Sequence, residues 1–137
     1  MRKTLLLCGL LLLGCKKEPA APQAPQAAIT TASGLVTQIL KSGDGKEAKK
    51  GDKVSVHYSG TLKDGTPFDS SRERAPFDFW VGEAQVIEGW DEGILGMREG
   101  ELRRLIIPPG LAYGSDAKPG IPPNSTLHFD VELLNVR

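Results

Sequence analysis

Cysteine is nearly absent from this chain of 137 residues: there are two, Cys8 and Cys15, both within the first fifteen positions. A disulfide framework or a thiolate metal site in the body of the chain is thereby excluded. Histidine is equally scarce. His57 and His128 each stand in an alternating, strand-like run rather than at metal-ligand spacing, and no Gly-rich loop ending in Lys-Ser/Thr is present to cradle a phosphate. An excess of one charge is also missing, since 17 basic residues face 17 acidic ones, so neither a nucleic-acid footprint nor a basic membrane-binding face is expected. No internal repeat is visible. The chemistry left open to such a chain needs no nucleophile, no metal and no cofactor.

A membrane-spanning run is lacking too. The longest apolar stretch, Leu5 to Leu13 with Cys8 and Gly9 inside it, follows Arg2 and Lys3. About ten apolar residues are half of the roughly twenty that cross a bilayer, so residues 1–14 read as a signal peptide. Its end, Leu12-Leu13-Gly14-Cys15, resembles the bacterial lipobox: cleavage after the small Gly14 leaves Cys15 first, carrying lipid (palmitate among its acyl chains), with Lys16 and Lys17 behind it. Cys8 has no small residue before it and is not the expected cleavage site. Losing Arg2 and Lys3 with the signal leaves two more acidic than basic residues, a net charge of −2, and a single cysteine. The expectation is a lipoprotein of the bacterial cell envelope. The absence of Asp at position 16 points to the outer membrane, facing the periplasm.

From Lys16 to Ser33 the chain is rich in Ala, Pro and Gln. Such a segment cannot bury enough surface to offset its ordering entropy. Residues 15–33 are therefore expected to be a lipidated tether, and about fourteen of them at roughly 3.1 Å each would span about 40 Å. Residues 34–137 are the size of one domain with a single core.

What the chain does have is eight aromatic residues, all between Tyr58 and Phe129 and set in short clusters among turns. Val54, Val56 and Tyr58 alternate with Ser55, His57 and Ser59, and Leu127, Phe129, Val131 and Leu133 alternate with His128, Asp130 and Glu132. That period of two marks strands with one buried face. Leu35 to Leu40 and Leu105 to Ile107 are further strand candidates. Asp64-Gly65 suits a hairpin, which favours an antiparallel sheet. One helix is expected, roughly Ile87 to Leu95, because Ile87, Trp90, Ile94 and Met97 recur at helical spacing. Gly89, Gly93 and Gly96 keep it short. A lone helix must cover its stripe against the sheet, which puts Trp90 inside. The Gly- and Pro-rich stretch from Pro108 to Asn124 reads as a long ordered loop of the kind that carries function.

Six runs in this order are similar to the FKBP-type peptidyl-prolyl cis-trans isomerases: Val56-His57-Tyr58-Ser59-Gly60, Phe68-Asp69-Ser70-Ser71-Arg72, Val86-Ile87-Glu88-Gly89-Trp90-Asp91-Glu92-Gly93, Ala112-Tyr113-Gly114, Ile121-Pro122-Pro123-Asn124 and Phe129-Asp130-Val131-Glu132-Leu133. The resemblance covers residues 34–137. It implies an α+β fold, a twisted antiparallel sheet wrapped around one short α-helix. It further implies a pocket floored by Trp90 and walled by Tyr58, Phe68, Phe77, Val86, Ile87 and Phe129, with Ile121 as a further substrate contact and Phe79 in the core beneath. Asp69 and Tyr113 would supply polar groups at the rim, and the Ile87 N–H would bind a substrate carbonyl, making Tyr58, Asp69, Ile87 and Tyr113 the catalytic set. Between Tyr113 and Pro122 the chain is one residue shorter than many relatives. The implied activity is isomerisation of X-Pro bonds in exported proteins, with proline-containing polypeptides as partners and the protein a monomer.

Taken residue by residue, plainer roles compete with these. Trp90 on a helix stripe and Phe129 in an alternating strand are core positions in most proteins. Asp69 could serve a turn or pair with Arg72 or Arg74, and both histidines are expected to face solvent. A prolyl-binding chaperone module without turnover is the competing function.

Overall fold

A computed structural model describes residues 25–137. The expected signal peptide and lipidated Cys15 lie outside the described residues, as does most of the expected tether. Seven strands form one antiparallel sheet: β1 (Ile29–Thr30), β2 (Val36–Lys41), β3 (Lys53–Leu62), β4 (Pro67–Ser70), β5 (Phe77–Trp80), β6 (Leu102–Ile107) and β7 (Leu127–Val136). Their order is β1-β2-β6-β7-β3-β4, with β5 paired to the first half of β3 beside β4. A short helix, α1 (Glu88–Gly93), lies between β5 and β6, and a 3-10 turn at Pro109–Leu111 opens the long loop.

The alternation in β3 and β7 has the expected consequence. Val54 and Val56 on β3 and Leu127, Phe129, Val131 and Leu133 on β7 are buried, while His57 and His128 on the opposite face are half-buried. His57 does not simply face solvent: its Nδ1 lies 3.0 Å from the Ser71 hydroxyl, which also accepts the Tyr58 N–H at 2.8 Å. The Asp64-Gly65 hairpin is formed, with Gly65 at φ 91° and the Thr66 N–H donating to the Asp64 carboxylate at 2.9 Å.

Helix α1 is shorter than expected, with Ile94 as its C-cap. Its stripe is nonetheless buried, since Trp90, Ile94 and Met97 are at most 4% exposed. The helix lies directly on β6. A Cβ added at Gly89 would sit 2.5 Å from Ile107 Cγ2, and one at Gly93 would sit 2.7 Å from Leu105 Cδ2. These glycines, which weaken the helix by propensity, are thus what allows it to approach the sheet. Beyond the helix end, the Arg103 guanidinium donates to the carbonyls of Gly93 (3.0 Å) and Leu95 (3.3 Å) and to buried Glu101 (2.6 Å), satisfying acceptors that a helix terminus leaves open.

Sequence periodicity did not identify β1, β4 or β5, which are two to four residues long, too short to establish a period of two. β1 also changes the expected boundary at Ser33. Ile29 and Thr30 pair with Thr37 and Val36, and the Gln26 N–H donates to the Ile39 carbonyl at 2.9 Å. The ordered sheet edge therefore begins within the segment expected to be tether.

Candidate active site

Between α1, β3, β4, β5, β7 and the loops lies a hollow of about 190 Å³, lined by Tyr58, Phe68, Asp69, Phe77, Gln85, Val86, Ile87, Trp90, Tyr113 and Phe129. It is the size for one ring, since a cavity of about 150 Å³ accommodates benzene. Trp90 is its floor. The indole is 4% exposed and meets Tyr58 at 5.0 Å and Phe129 at 5.2 Å between ring centroids, both edge-to-face. Phe68 stands edge-on to Phe129 at 5.4 Å, and Phe77 closes the opposite side, 6.2 Å from both Tyr58 and Trp90. Edge-to-face contacts set the positive rim of one ring against the negative face of the next, so the rings hold one another in place.

Phe68 and Asp69 are consecutive in a strand, where side chains ordinarily point to opposite faces, yet both line the hollow. The cause is a shift in register: Asp69 stands opposite Gly60 and Pro67 opposite Thr61, leaving Phe68 without a partner. Such a bulge re-aims a side chain. Gly60 makes the new position possible, because a Cβ there would lie 2.7 Å from Phe68 Cζ and 2.8 Å from Phe129 Cε1.

The polar side of the hollow is a relay. Tyr58 donates its hydroxyl proton to Asp69 Oδ2 at 2.6 Å, while Asp69 Oδ1 accepts from Arg74 Nη2 and from the Ser70 N–H, both at 2.8 Å. Burial first, then the hydrogen bond and charge of Asp69, push the Tyr58 hydroxyl up to about 12, so it stays protonated and serves as a donor. Of the plainer roles weighed for Asp69, the Arg74 pairing holds, alongside its place in the wall; the residue lies in strand β4 and not in a turn.

Ile87 is the N-cap of α1, extended at φ −60° and ψ 150°; its carbonyl accepts from Trp90 and Asp91. Its own N–H and the Tyr113 hydroxyl have no hydrogen-bond partner among the described residues, and neither does the buried indole N–H of Trp90. Two donors on residues that line the hollow, the Ile87 N–H and the Tyr113 hydroxyl, are thus left uncommitted, whereas the indole N–H is sealed in the core. Tyr113 is held by the long loop, where Lys118 Nζ lies 5.6 Å from its ring centroid.

Of the expected contacts, the structure brings together Tyr58, Phe68, Asp69, Phe77, Val86, Ile87, Trp90, Tyr113 and Phe129. It does not bring Ile121. That residue exchanges two backbone hydrogen bonds with Lys118 (2.9 and 2.8 Å) across a tight turn with Gly120 at φ 76°, and it is 6% exposed, in the core. Phe79 lies in the core as expected, 2% exposed and stacked 5.7 Å from Phe77. Gln85 was not anticipated. It lines the hollow while its Oε1 accepts the Trp80 N–H at 2.9 Å, and nothing in the sequence marked it.

Residues 45–134 match the family model described as FKBP-type peptidyl-prolyl cis-trans isomerase. The chain is 59% identical over 106 residues to the peptidyl-prolyl cis-trans isomerase Fkbp12 of Drosophila melanogaster, covering 75% of this chain and 98% of that protein. It is 47% identical over 124 residues to FK506-binding protein 4 of Neurospora crassa, covering 90% of this chain and 27% of that protein, so it spans about a quarter of that relative's length. Among solved structures, AtFKBP13 superposes with a TM-score of 0.75 at 39% identity, covering 82% of this chain and all of that one.

Proposed function

The chain belongs to the FKBP-type peptidyl-prolyl cis-trans isomerase family, and from that premise we propose that it isomerises X-Pro bonds of exported polypeptides, assisting their folding from a lipid anchor on Cys15. The observation that carries the catalytic reading is the hollow itself: Trp90 is buried as core, yet it floors an opening sized for one ring, whose lining residues include Ile87 and Tyr113 with an uncommitted N–H and hydroxyl.

Rotation about an X-Pro bond must break amide resonance, a barrier of about 18–20 kcal/mol, without making or breaking any covalent bond. The planar amide is the more polar state, because resonance places negative charge on its oxygen. A site walled by Phe68, Phe77, Trp90 and Phe129 withdraws water from that oxygen and so disfavours the planar forms relative to the twisted one. The prolyl ring seats on the Trp90 indole. The Ile87 N–H and the Tyr113 hydroxyl bind carbonyls of the peptide and hold one side of the bond while the other turns. Tyr58 and Arg74 each donate to the Asp69 carboxylate, so the three fix the polar wall and carry no proton transfer. A millionfold acceleration requires these effects to supply about 8 kcal/mol together.

A prolyl-peptide isomerisation assay tests the activity: the protein should accelerate the cis-to-trans step, and a rate equal to that in buffer would remove it. Trp90→Leu separates an enzyme from a binding module, since a module keeps its cellular role when turnover is lost. For the anchor, Cys15→Ser should move the protein from the membrane to the soluble fraction of the envelope; a variant that stays membrane-bound is tethered by something else.

A further inference from the structure

Beyond the wall that Tyr58 and Phe77 form for the first hollow lies a second, of about 290 Å³, lined by the same two rings and by Ser71, Arg74, Ala75 and Pro76. We propose that it is a second substrate subsite, which takes an apolar or aromatic side chain of the polypeptide two residues from the isomerised proline. This deepens the isomerase reading and rests on it.

The argument begins with the shared partition. The Tyr58 and Phe77 centroids are 6.2 Å apart and both rings face both hollows, so a chain leaving the first hollow over Phe77, itself 40% exposed, passes the mouth of the second. In an extended peptide, side chains two residues apart lie on the same side, about 6.6 Å from each other. The immediate neighbour of proline points away. A residue two positions along is therefore the one brought to the second hollow.

The walls choose the class of side chain. Arg74 is the only charged residue in them, and its charge is already answered: its guanidinium donates to Asp69 at 2.8 Å and to the Ser70 carbonyl at 2.7 and 3.2 Å. A guanidinium so held offers its flat face for stacking. Ser71 is 2% exposed, its hydroxyl engaged by the Tyr58 N–H and His57, so it does not demand a polar guest. Ala75, Pro76 and Phe77 are apolar. The loop that carries them is pinned by the Arg74 bonds and by the Arg74 N–H donating to the Ser71 carbonyl at 2.9 Å, so the subsite exists before substrate arrives.

The test is a series of prolyl peptides that differ only in having Gly, Phe or Glu two positions before or two positions after the proline. With Phe at one of those positions, kcat/KM should exceed that of the Gly peptide roughly tenfold, within the range that a single apolar pocket discriminates. Ala75→Trp, whose added ring fills the second hollow and which lies outside the first, should abolish that preference and leave the Gly-peptide rate within about twofold of wild type. Equal rates for Gly and Phe at both positions, a preference for Glu, or a Phe preference that survives Ala75→Trp would each overturn the subsite. If the variant fails to fold, its Gly-peptide rate reveals this. Amide shifts of Ser71 and Ala75 in the wild-type protein, titrated with the Phe and Gly peptides, then decide: larger shifts with Phe support the subsite and equal shifts reject it. A wild-type protein that turns over no peptide refutes the isomerase reading instead, and the same titration still judges the subsite.

Discussion

Replacing Gly89 by alanine sets two well-measured effects against each other. Inside an α-helix, Gly to Ala ordinarily stabilises by about 1 kcal/mol. Here the new Cβ would lie 2.5, 2.8 and 2.9 Å from three carbons of Ile107, whereas carbon contacts are comfortable at about 3.5–4.0 Å. Something must yield by about 1 Å. Ile107 cannot easily do so, because it is fully buried and β-branched, and its strand is paired to β2 on one side and β7 on the other. Overpacking of this kind costs about 1–3 kcal/mol; with so rigid a neighbour the cost falls at the upper end, and less the helix gain of about 1 kcal/mol the net expectation is a loss of about 2 kcal/mol, which for a domain of this size lowers Tm by about 8–16 °C. The next residue is Trp90, so a helix pushed off β6 also carries the pocket floor with it, and isomerase activity should fall together with stability. Urea denaturation followed by tryptophan fluorescence measures the first effect and a prolyl-peptide assay the second. Gly110→Ala is the control. Nothing lies within 4 Å of a Cβ built there, and stability should be unchanged or rise by about 0.4–1 kcal/mol. A Gly89→Ala protein as stable as wild type, or more so, would refute the claim that this glycine exists for close approach of helix to sheet. If Ile107→Ala in the same chain fails to relieve the penalty, the clash is misassigned.

Tyr58→Phe should lower kcat/KM by loosening Asp69, and by losing the hydrogen bond to Asp69 it should cost about 1 kcal/mol below about pH 10, a difference that shrinks at higher pH. The unfolded hydroxyl titrates near 10 and the folded one near 12, so wild-type stability is intact below about pH 10 and declines as pH rises between those values; denaturation curves from pH 9 to 11.5 should show that decline in wild type and not in the variant. Trp90→Leu should reduce kcat/KM at least tenfold and cost roughly 2 kcal/mol, less than truncation to alanine because it also removes an indole N–H that is buried without a partner; unchanged turnover would exclude the indole as the floor. Arg103→Ala should cost about 3–5 kcal/mol, because it strands the buried Glu101 carboxylate and uncaps the end of α1. Arg104→Ala, which breaks the more exposed pair with Asp130, should cost about 1 kcal/mol or less. Equal costs in urea denaturation would sink the distinction.

The long strands, the helix stripe and the aromatic content were legible because period two and period 3.6 are local properties of the chain, and the two long alternating runs and the Trp90 stripe bury the faces those periods assign. Most pocket residues were legible too, but through the ordered set of motifs. Taken alone, Trp90 and Phe129 have the pattern of core residues, and buried they are. What makes them a site is that other rings stop short of filling the space above them. Whether a void is left open depends on packing across five elements and the loops between them, which no local pattern carries.

The amino-acid order by itself therefore determined an antiparallel sheet with one short helix, the absence of thiol and metal-ligand patterns from the body of the chain, and a supply of aromatic rings spaced through turns. Tertiary structure alone decided how they meet. It set the bulge that turns both Phe68 and Asp69 into one hollow, the burial of Ile121 in the core, the recruitment of Ile29 and Thr30 to the sheet edge, and the Tyr58–Asp69–Arg74 relay. Each of these depends on strand register and on contacts between residues distant in sequence or on a single-residue irregularity. A pattern of apolar and polar positions fixes which face of an element is buried, but it leaves open which neighbour that face will find.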